Sequence, residues 1–119
     1  MKKILVIEYD ESIAEIFRDF LLKRGYTVDL AFSGNQGLNM HRIKKYDLII
    51  LESTLPDMDG LDICHMIENV SSCPVIVTSA SPQLFESEAY LKAGASKYFV
   101  KPLSPCELME QVDVCFRDK

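Results

Sequence analysis

The chain has 119 residues, 48% of them hydrophobic and 26% charged, with five glycines and five prolines, the make-up of one globular domain with its own core. A formal net charge of −5 argues against a nucleic-acid-binding surface, which needs a basic stripe, and leaves open a basic output domain elsewhere in a longer polypeptide. The opening MKKILVIEYD offers only Ile4 to Ile7 as an apolar run before Glu8, too short for a signal-peptide core, and no run is long enough to span a bilayer, so the expected location is cytoplasmic.

In chain order, the first apolar run is 4-ILVI-7. Ser12-Ile13-Ala14-Glu15 then reads as a capping box, in which serine and glutamate satisfy each other's orphan amides. It leads into Ile13, Ile16, Phe17, Phe20 and Leu21 at helical spacing, and Gly25 is placed to end that helix. In 27-TVDLAF-32, Val28, Leu30 and Phe32 alternate with Asp29 and Ala31, as in a half-exposed edge strand. Ser33 and Gln36 cap a second helix that Gly34 and Gly37 weaken. A continuous apolar run, 48-LIIL-51, suits a strand covered on both faces, and Asp59 or Gly60 opens a third helix with Ile63, Cys64 and Ile67 on one side. The strand 75-VIV-77 precedes Ser81-Pro82, an N-cap and first helical residue, with closure near Gly94. After 98-YFV-100, Ser104-Pro105-Cys106-Glu107 repeats the device for a fifth helix. Cys64, Cys73, Cys106 and Cys115 match no zinc or redox spacing and read as small hydrophobes.

The order is β-α five times over residues 1–119, a single domain with no linker or repeat. Parallel strands need right-handed helical crossovers, so the expected fold is α/β: a flavodoxin-like, doubly wound (βα)5 with a five-stranded parallel sheet in the order 2-1-3-4-5. In such sheets the working crevice lies at the carboxyl ends of the strands. The first strand ends at Glu8-Tyr9-Asp10, the third at Glu52, the fourth at Ser79 and the fifth at Lys101. Two carboxylates about 4 Å apart repel by roughly 4 kcal/mol at an effective dielectric of about 20. Glu8, Asp10 and Glu52 therefore share one edge only with a counter-charge or with raised pKa values. Lys101 is one candidate counter-ion, and a hard divalent cation such as Mg²⁺ is another.

These residues, in this order, resemble the receiver domain of bacterial two-component response regulators. The resemblance runs from Ile4 to the last helix and is most specific in ILVI-E-Y-D-E, YDLIILE-x-x-LPDMDGLDI, PVIVTSAS and GASKYFVKPL. It implies two acids after the first strand that help hold Mg²⁺, and an aspartate ending the third strand that accepts phosphate from a histidine kinase. Carried over by position, Ser79 matches the hydroxyl ending the fourth strand, Tyr98 the switch aromatic, and Lys101 with Pro102 the lysine-proline pair. Were Mg²⁺ to bind, Glu8, Glu52 and the backbone carbonyl of Thr54 would be its ligands; otherwise no cofactor is expected.

The departures fall on the chemistry. Tyr9 replaces the second acid, and Glu52 stands at the phosphoacceptor position. Glutamate moves its oxygens by up to about 1.5 Å, one C–C bond, where a misplacement of about 1 Å can cost about 10²-fold. Tyr9, with a reference pKa near 10, stays neutral and is a poor Mg²⁺ ligand, and Asp10, placed in the acidic pocket with Glu8 and Tyr9 if a loop swings it in, would lie on the opposite face of a fully extended strand. The expected function is thus a signalling receiver module, not an enzyme beyond self-phosphorylation and dephosphorylation, that does not rely on aspartyl phosphorylation.

The alternative is a conventional phosphorylatable, Mg²⁺-dependent receiver, with Glu52 as acceptor or as an engineered replacement for aspartate. A flavin carrier on the same fold is disfavoured by the anion-repelling loop Glu-Tyr-Asp-Glu. By resemblance, the partner is a sensor histidine kinase or an output domain, met through the fourth helix, fifth strand and fifth helix, with Tyr90, Lys92 and Tyr98 as contributors. A weak homodimer fits the same face; nucleic acid and membrane are not expected partners. Tyr90 reads equally well as packing. His41 and His65 read as surface residues, and Tyr98 is expected to turn inward if Glu52 mimics phosphate.

Overall fold

The computed structural model describes residues 1–79, 84–101 and 104–117. Five strands, β1 (Lys3–Ile7), β2 (Thr27–Ala31), β3 (Leu48–Glu52), β4 (Val75–Ser79) and β5 (Lys97–Val100), alternate with five helices, α1 (Glu11–Lys23), α2 (Gly34–Ile43), α3 (Gly60–Val70), α4 (Leu84–Lys92) and α5 (Pro105–Arg117). All strand pairs are parallel, in the order β2-β1-β3-β4-β5. This is the flavodoxin-like arrangement that the alternation of the elements implies. None of the helices among the described residues is long and apolar enough to cross a membrane.

The twofold alternation of side chains along a strand divides the core in two. Leu5, Ile7, Ile49, Leu51, Val75 and Val77 face Ile63, Ile67 and Tyr90 on the side of α2, α3 and α4. Ile4, Val6, Leu48, Ile50 and Ile76 face Phe17, Leu21, Leu108 and Val112 on the side of α1 and α5. Burial on both faces explains why β1, β3 and β4 are unbroken apolar runs. β2 takes the edge, with only Ala31 of its five residues fully covered.

Most helix ends follow their sequence signals. The Ser33 hydroxyl accepts from the Gln36 amide at 3.1 Å while the Gln36 side chain accepts from Phe32 N–H at 2.8 Å. Asp59 caps α3 through Leu61 N–H, Ser104 caps α5 through Cys106 N–H, and Gly25 and Gly94 leave α1 and α4 with positive φ. The expected Ser12–Glu15 capping box is not the start of α1. Asp10 is the N-cap, accepting from Ser12 N–H at 2.9 Å and Ile13 N–H at 3.2 Å. Aspartate caps at least as well as serine, and using it begins the helix two residues earlier. The Ser81-Pro82 signal lies outside the described residues.

Two close approaches fix the β3–α3 region. A Cβ on Gly60 would sit 2.7 Å from the Ser53 carbonyl oxygen, 2.8 Å from Ser53 Cα and 2.7 Å from the Tyr90 hydroxyl. Asp57 reaches across to α2, its carboxylate accepting from Gly34 N–H and Asn35 N–H at 2.8 and 2.9 Å. Those two bonds, Asn35 first, hold its pKa below the usual carboxylate range. The glycines of α2 that weaken its helical propensity have a packing reason, since a Cβ on Gly37 would meet Ile7 side-chain atoms at 2.5 and 2.8 Å. The Ile7 side chain is able to adjust, whereas the Ser53 backbone is not. Gly60→Ala is therefore expected to lower stability by about 1–3 kcal/mol through overpacking, and by more than Gly37→Ala, whose clash is offset by about 1 kcal/mol of helix propensity. Urea unfolding of both variants measures the order; a Gly60→Ala midpoint equal to that of the unsubstituted chain contradicts it.

Candidate functional site

At the carboxyl rim of the sheet, Glu8 follows β1 and Glu52 closes β3, and only 3% and 5% of their surfaces reach solvent. Between them lies the Lys101 ammonium, 2.6 Å from Glu8 Oε1 and ion-paired with Glu52 Oε2. Lys101 follows β5 directly, and its backbone N–H is tied to the Ser79 carbonyl at 2.6 Å. Burial acts to lower the lysine pKa, but the hydrogen bonds and charges of Glu52 and Glu8 outweigh it and hold the group above its ordinary value of 10.5. A cation whose pKa rises on folding contributes stability that is complete below that ordinary value and is lost only as pH climbs through the higher folded one. The Lys101 ammonium is thus charged throughout the neutral range.

The carboxylates also have their remaining oxygens engaged. Glu8 Oε2 accepts from Asp10 N–H at 3.1 Å. Glu52 Oε1 accepts from Thr54 N–H at 3.2 Å and faces the Ser53 hydroxyl at 3.5 Å, and Oε2 accepts from the Thr78 hydroxyl at 3.4 Å. Thr78 escaped the sequence reading. Its signal was register: Thr78 pairs laterally with Glu52, so in a parallel sheet both point to the same face.

Ser79 is one residue further and faces the other way. Its hydroxyl receives a 2.7 Å bond from Ser53 and donates toward Glu86 of α4 at 3.4 Å. On this side Tyr98 packs against Tyr90, ring centroids 5.5 Å apart and planes at 40°. The Tyr98 hydroxyl is buried beside Ser79 and Glu86 without a hydrogen bond of good geometry among the described residues. Burial is the main cause of its raised pKa. The rim thus holds two neighbouring clusters, Glu8–Lys101–Glu52–Thr78 and Ser53–Ser79–Glu86–Tyr98. Ser53 and Glu86 were not foreseen either, since neither lies at a strand end matched by the motifs.

Two sequence-based placements, Asp10 and His41, need correction, and Tyr90, left between two readings, is decided. Asp10 does not join the acidic pocket, because its carboxylate is spent on the α1 cap. Tyr90 is 2% exposed and belongs to the core, with burial raising its pKa, so it is not a contact on a partner-facing surface. His41 is half-buried, its Nδ1 without a partner among the described residues and its pKa lowered by burial; His65 is exposed. Tyr9 is 61% exposed. Pro102 lies outside the described residues.

The donor set does not fit a magnesium ion. Glu8 and Glu52 already share an ammonium, Tyr9 offers a phenol that is largely exposed in place of a carboxylate, and Asp10 caps a helix. No three His, Cys, Asp or Glu side chains among the described residues are grouped to hold a metal ion, whereas Mg²⁺ requires near-octahedral oxygen ligation.

The family model of the response regulator receiver domain matches residues 4–113. The response regulator ArlR of Staphylococcus epidermidis is 34% identical over 117 residues, covering 98% of this chain and 53% of its own. The chain therefore spans about half the length of the curated relatives it matches. Among solved structures, a two-component response regulator from Clostridium difficile is similar with a TM-score of 0.95 at 32% identity, covering 98% of this chain and 97% of the other. The receiver domain of the Francisella response regulator 1452 follows at 0.93 and 28%, covering 99% and 98%.

The ion triad makes a direct prediction. Lys101→Met leaves two buried carboxylates facing each other, and removal of one partner of a buried pair costs about 3–5 kcal/mol. The variant is expected to unfold at correspondingly lower urea, and Glu8→Gln with Glu52→Gln in the same chain is expected to recover most of the loss. If the triple variant stays as unstable as Lys101→Met, charge repulsion is not the cause.

Proposed function

The chain belongs to the response regulator receiver family, and from that premise we propose that it is a receiver whose signalling state is set without aspartyl phosphorylation. The observation that supports this reading is the Lys101 ammonium bridging Glu8 and Glu52. Phosphoryl transfer onto a receiver needs a short carboxylate placed in line and a cation to neutralise the charge that develops. Here the carboxylate is one methylene longer and is held at both oxygens. The cation is the protein's own lysine, and no second acid stands at position 9 to recruit a metal.

Glu52 then acts as a fixed anion at the end of β3, in place of a group added by a kinase. The buried hydroxyl of Tyr98 supports this reading, since an inward tyrosine is what a permanent anion at position 52 would favour through the Ser53–Ser79 contact. The face of α4, β5 and α5, where Lys92, Leu91 and Val100 are exposed, meets the protein partner, a sensor histidine kinase or an output domain, in the cytoplasm. On this reading the domain is no enzyme and requires no Mg²⁺.

The conventional reading has Ser79 and Lys101 in its favour, both at the positions that the family uses. Under it, Lys101 must leave Glu52 to make room for the incoming phosphoryl group. Incubation with acetyl phosphate and Mg²⁺, followed by intact-mass analysis, separates the two. The unsubstituted chain is expected to gain no phosphoryl group, Glu52→Asp to label sub-stoichiometrically, and Tyr9→Asp with Glu52→Asp to label fully and only with Mg²⁺. Stoichiometric labelling of the unsubstituted chain overturns the proposal.

A further inference from the structure

At the opposite rim of the sheet, the ends of α2 and α3 and the loops that follow them enclose a groove of about 880 Å³. Its lining carries apolar side chains where a surface is normally polar: Ile43 is 79% exposed, Val70 76% and Met66 47%. Arg42 and Lys45 add two positive charges that meet no carboxylate among the described residues, whereas Lys44 is paired with Asp29. One bland role accounts for part of this, since a cation in the last turn of α2 complements the helix dipole. It does not account for Lys45, which lies beyond the helix, nor for the two large exposed aliphatic side chains. An apolar centre with a charged margin is the make-up of a protein-binding patch.

The same chain carries the complementary surface. Along the outside of α1, Glu11 and Glu15 stand four residues apart on one stripe, both exposed and neither in an ion pair among the described residues. Ile16 beside them is 46% exposed. Like charges at that spacing disfavour an isolated helix, so a basic partner stabilises it. Within one molecule these surfaces never meet. The α1 stripe belongs to the sheet face shared with α5, near the carboxyl rim, and the groove belongs to the α2–α3 face at the amino rim.

We propose that the groove bounded by Ile43, Met66 and Val70 and edged by Arg42 and Lys45 docks the Glu11–Ile16 segment of α1 from a second copy of this chain. The apolar side chains bury one another and the opposite charges set the orientation. Because two different patches join, the contact is heterologous, and it propagates from copy to copy unless a ring closes. It leaves the α4–β5–α5 face free and does not depend on whether Glu52 is phosphorylated.

Sedimentation velocity on the 119-residue chain tests this. At low ionic strength the weight-average sedimentation coefficient is expected to rise steadily with concentration, without a plateau at the dimer. At ~1 M salt, where screening acts within about 3 Å, the rise is expected to be largely lost. Arg42→Glu with Lys45→Glu, and separately Glu11→Lys with Glu15→Lys, are each expected to sediment as monomers. An equimolar mixture of the two is expected to associate again, because every groove then finds an α1 of opposite charge. Circular dichroism establishes that both are folded, and Ile43→Asp, placed outside any helix-capping contact, is a second groove variant expected to be monomeric. A chain that stays monomeric at all concentrations overturns the proposal. So does a mixture that fails to associate, or a dimer that plateaus and survives both charge reversals.

Discussion

The rim of this domain is organised by one electrostatic constraint: two carboxylates removed from water must share a cation. Glu8 and Glu52 are carried there by adjacent strands, β1 and β3. In a parallel sheet such strands lie under 5 Å apart, close enough for unscreened repulsion to matter. The Lys101 ammonium relieves that repulsion from the far side, arriving at the end of β5 and crossing above β4. The bridge therefore also links the central strands to the strand at the opposite edge. Its strength comes from the same burial that makes it necessary, since a low-dielectric surrounding raises both the cost of an unpaired charge and the attraction between opposite ones.

Strand alternation gives the rim its second property. Side chains at even positions of β1, β3 and β4 (Val6, Ile50, Ile76) point toward α1 and α5, and those at odd positions (Ile7, Leu51, Val77) toward α2, α3 and α4. Extending that parity to the strand ends puts Glu8, Glu52 and Thr78 on one side and Ser53 and Ser79 on the other. The ionic cluster and the hydroxyl–tyrosine cluster are therefore neighbours on opposite faces, and the short path between them is local: the Ser53 hydroxyl stands 3.5 Å from Glu52 and 2.7 Å from Ser79. Gly60, pressed against the Ser53 carbonyl, and Tyr90, pressed against Gly60 and Tyr98, connect the same loop to α4. Position 52 is thus joined to α4 by a chain of few contacts.

The fold was legible because each of its signals is local: apolar runs bounded by caps and glycines, in an alternation that admits one topology. The convergence of positions 8, 52, 79 and 101 on one rim was legible for the same reason, since the topology dictates where parallel strands end, but Ser79 turns away from the pocket that the other three share. Finer placements depended on competition between neighbours. Asp10 read as a pocket acid, but a free carboxylate two residues ahead of an uncapped amide binds that amide first, and Ser12 lost its expected role to it. Thr78 was hidden by the hydroxyl beside it, because choosing between positions 78 and 79 requires the lateral register of β3 against β4, which no single strand contains. Glu86 could be related to Ser79 only once α4 had been laid over the sheet. Tyr90 stood between two readings, partner contact and packing, and its burial together with the close approach at Gly60 decides for the core.

A receiver works as a switch when some ligand binds one of its conformations better than the other, and the shift can be no larger than that difference in affinity. A phosphoryl group with its metal is such a ligand, because it brings charge to a rim that otherwise lacks balance. In this chain Lys101 already offsets part of the charge of Glu8 and Glu52, and the Tyr98 hydroxyl is already inward. On the reading proposed above, little differential free energy is left for phosphate to supply. Any remaining signal must then come from a partner that recognises the α4–β5–α5 face, or from association between copies at surfaces remote from it. Both act by mass action, so the level of the protein and of its partners would set the response, in place of the occupancy of a modified side chain.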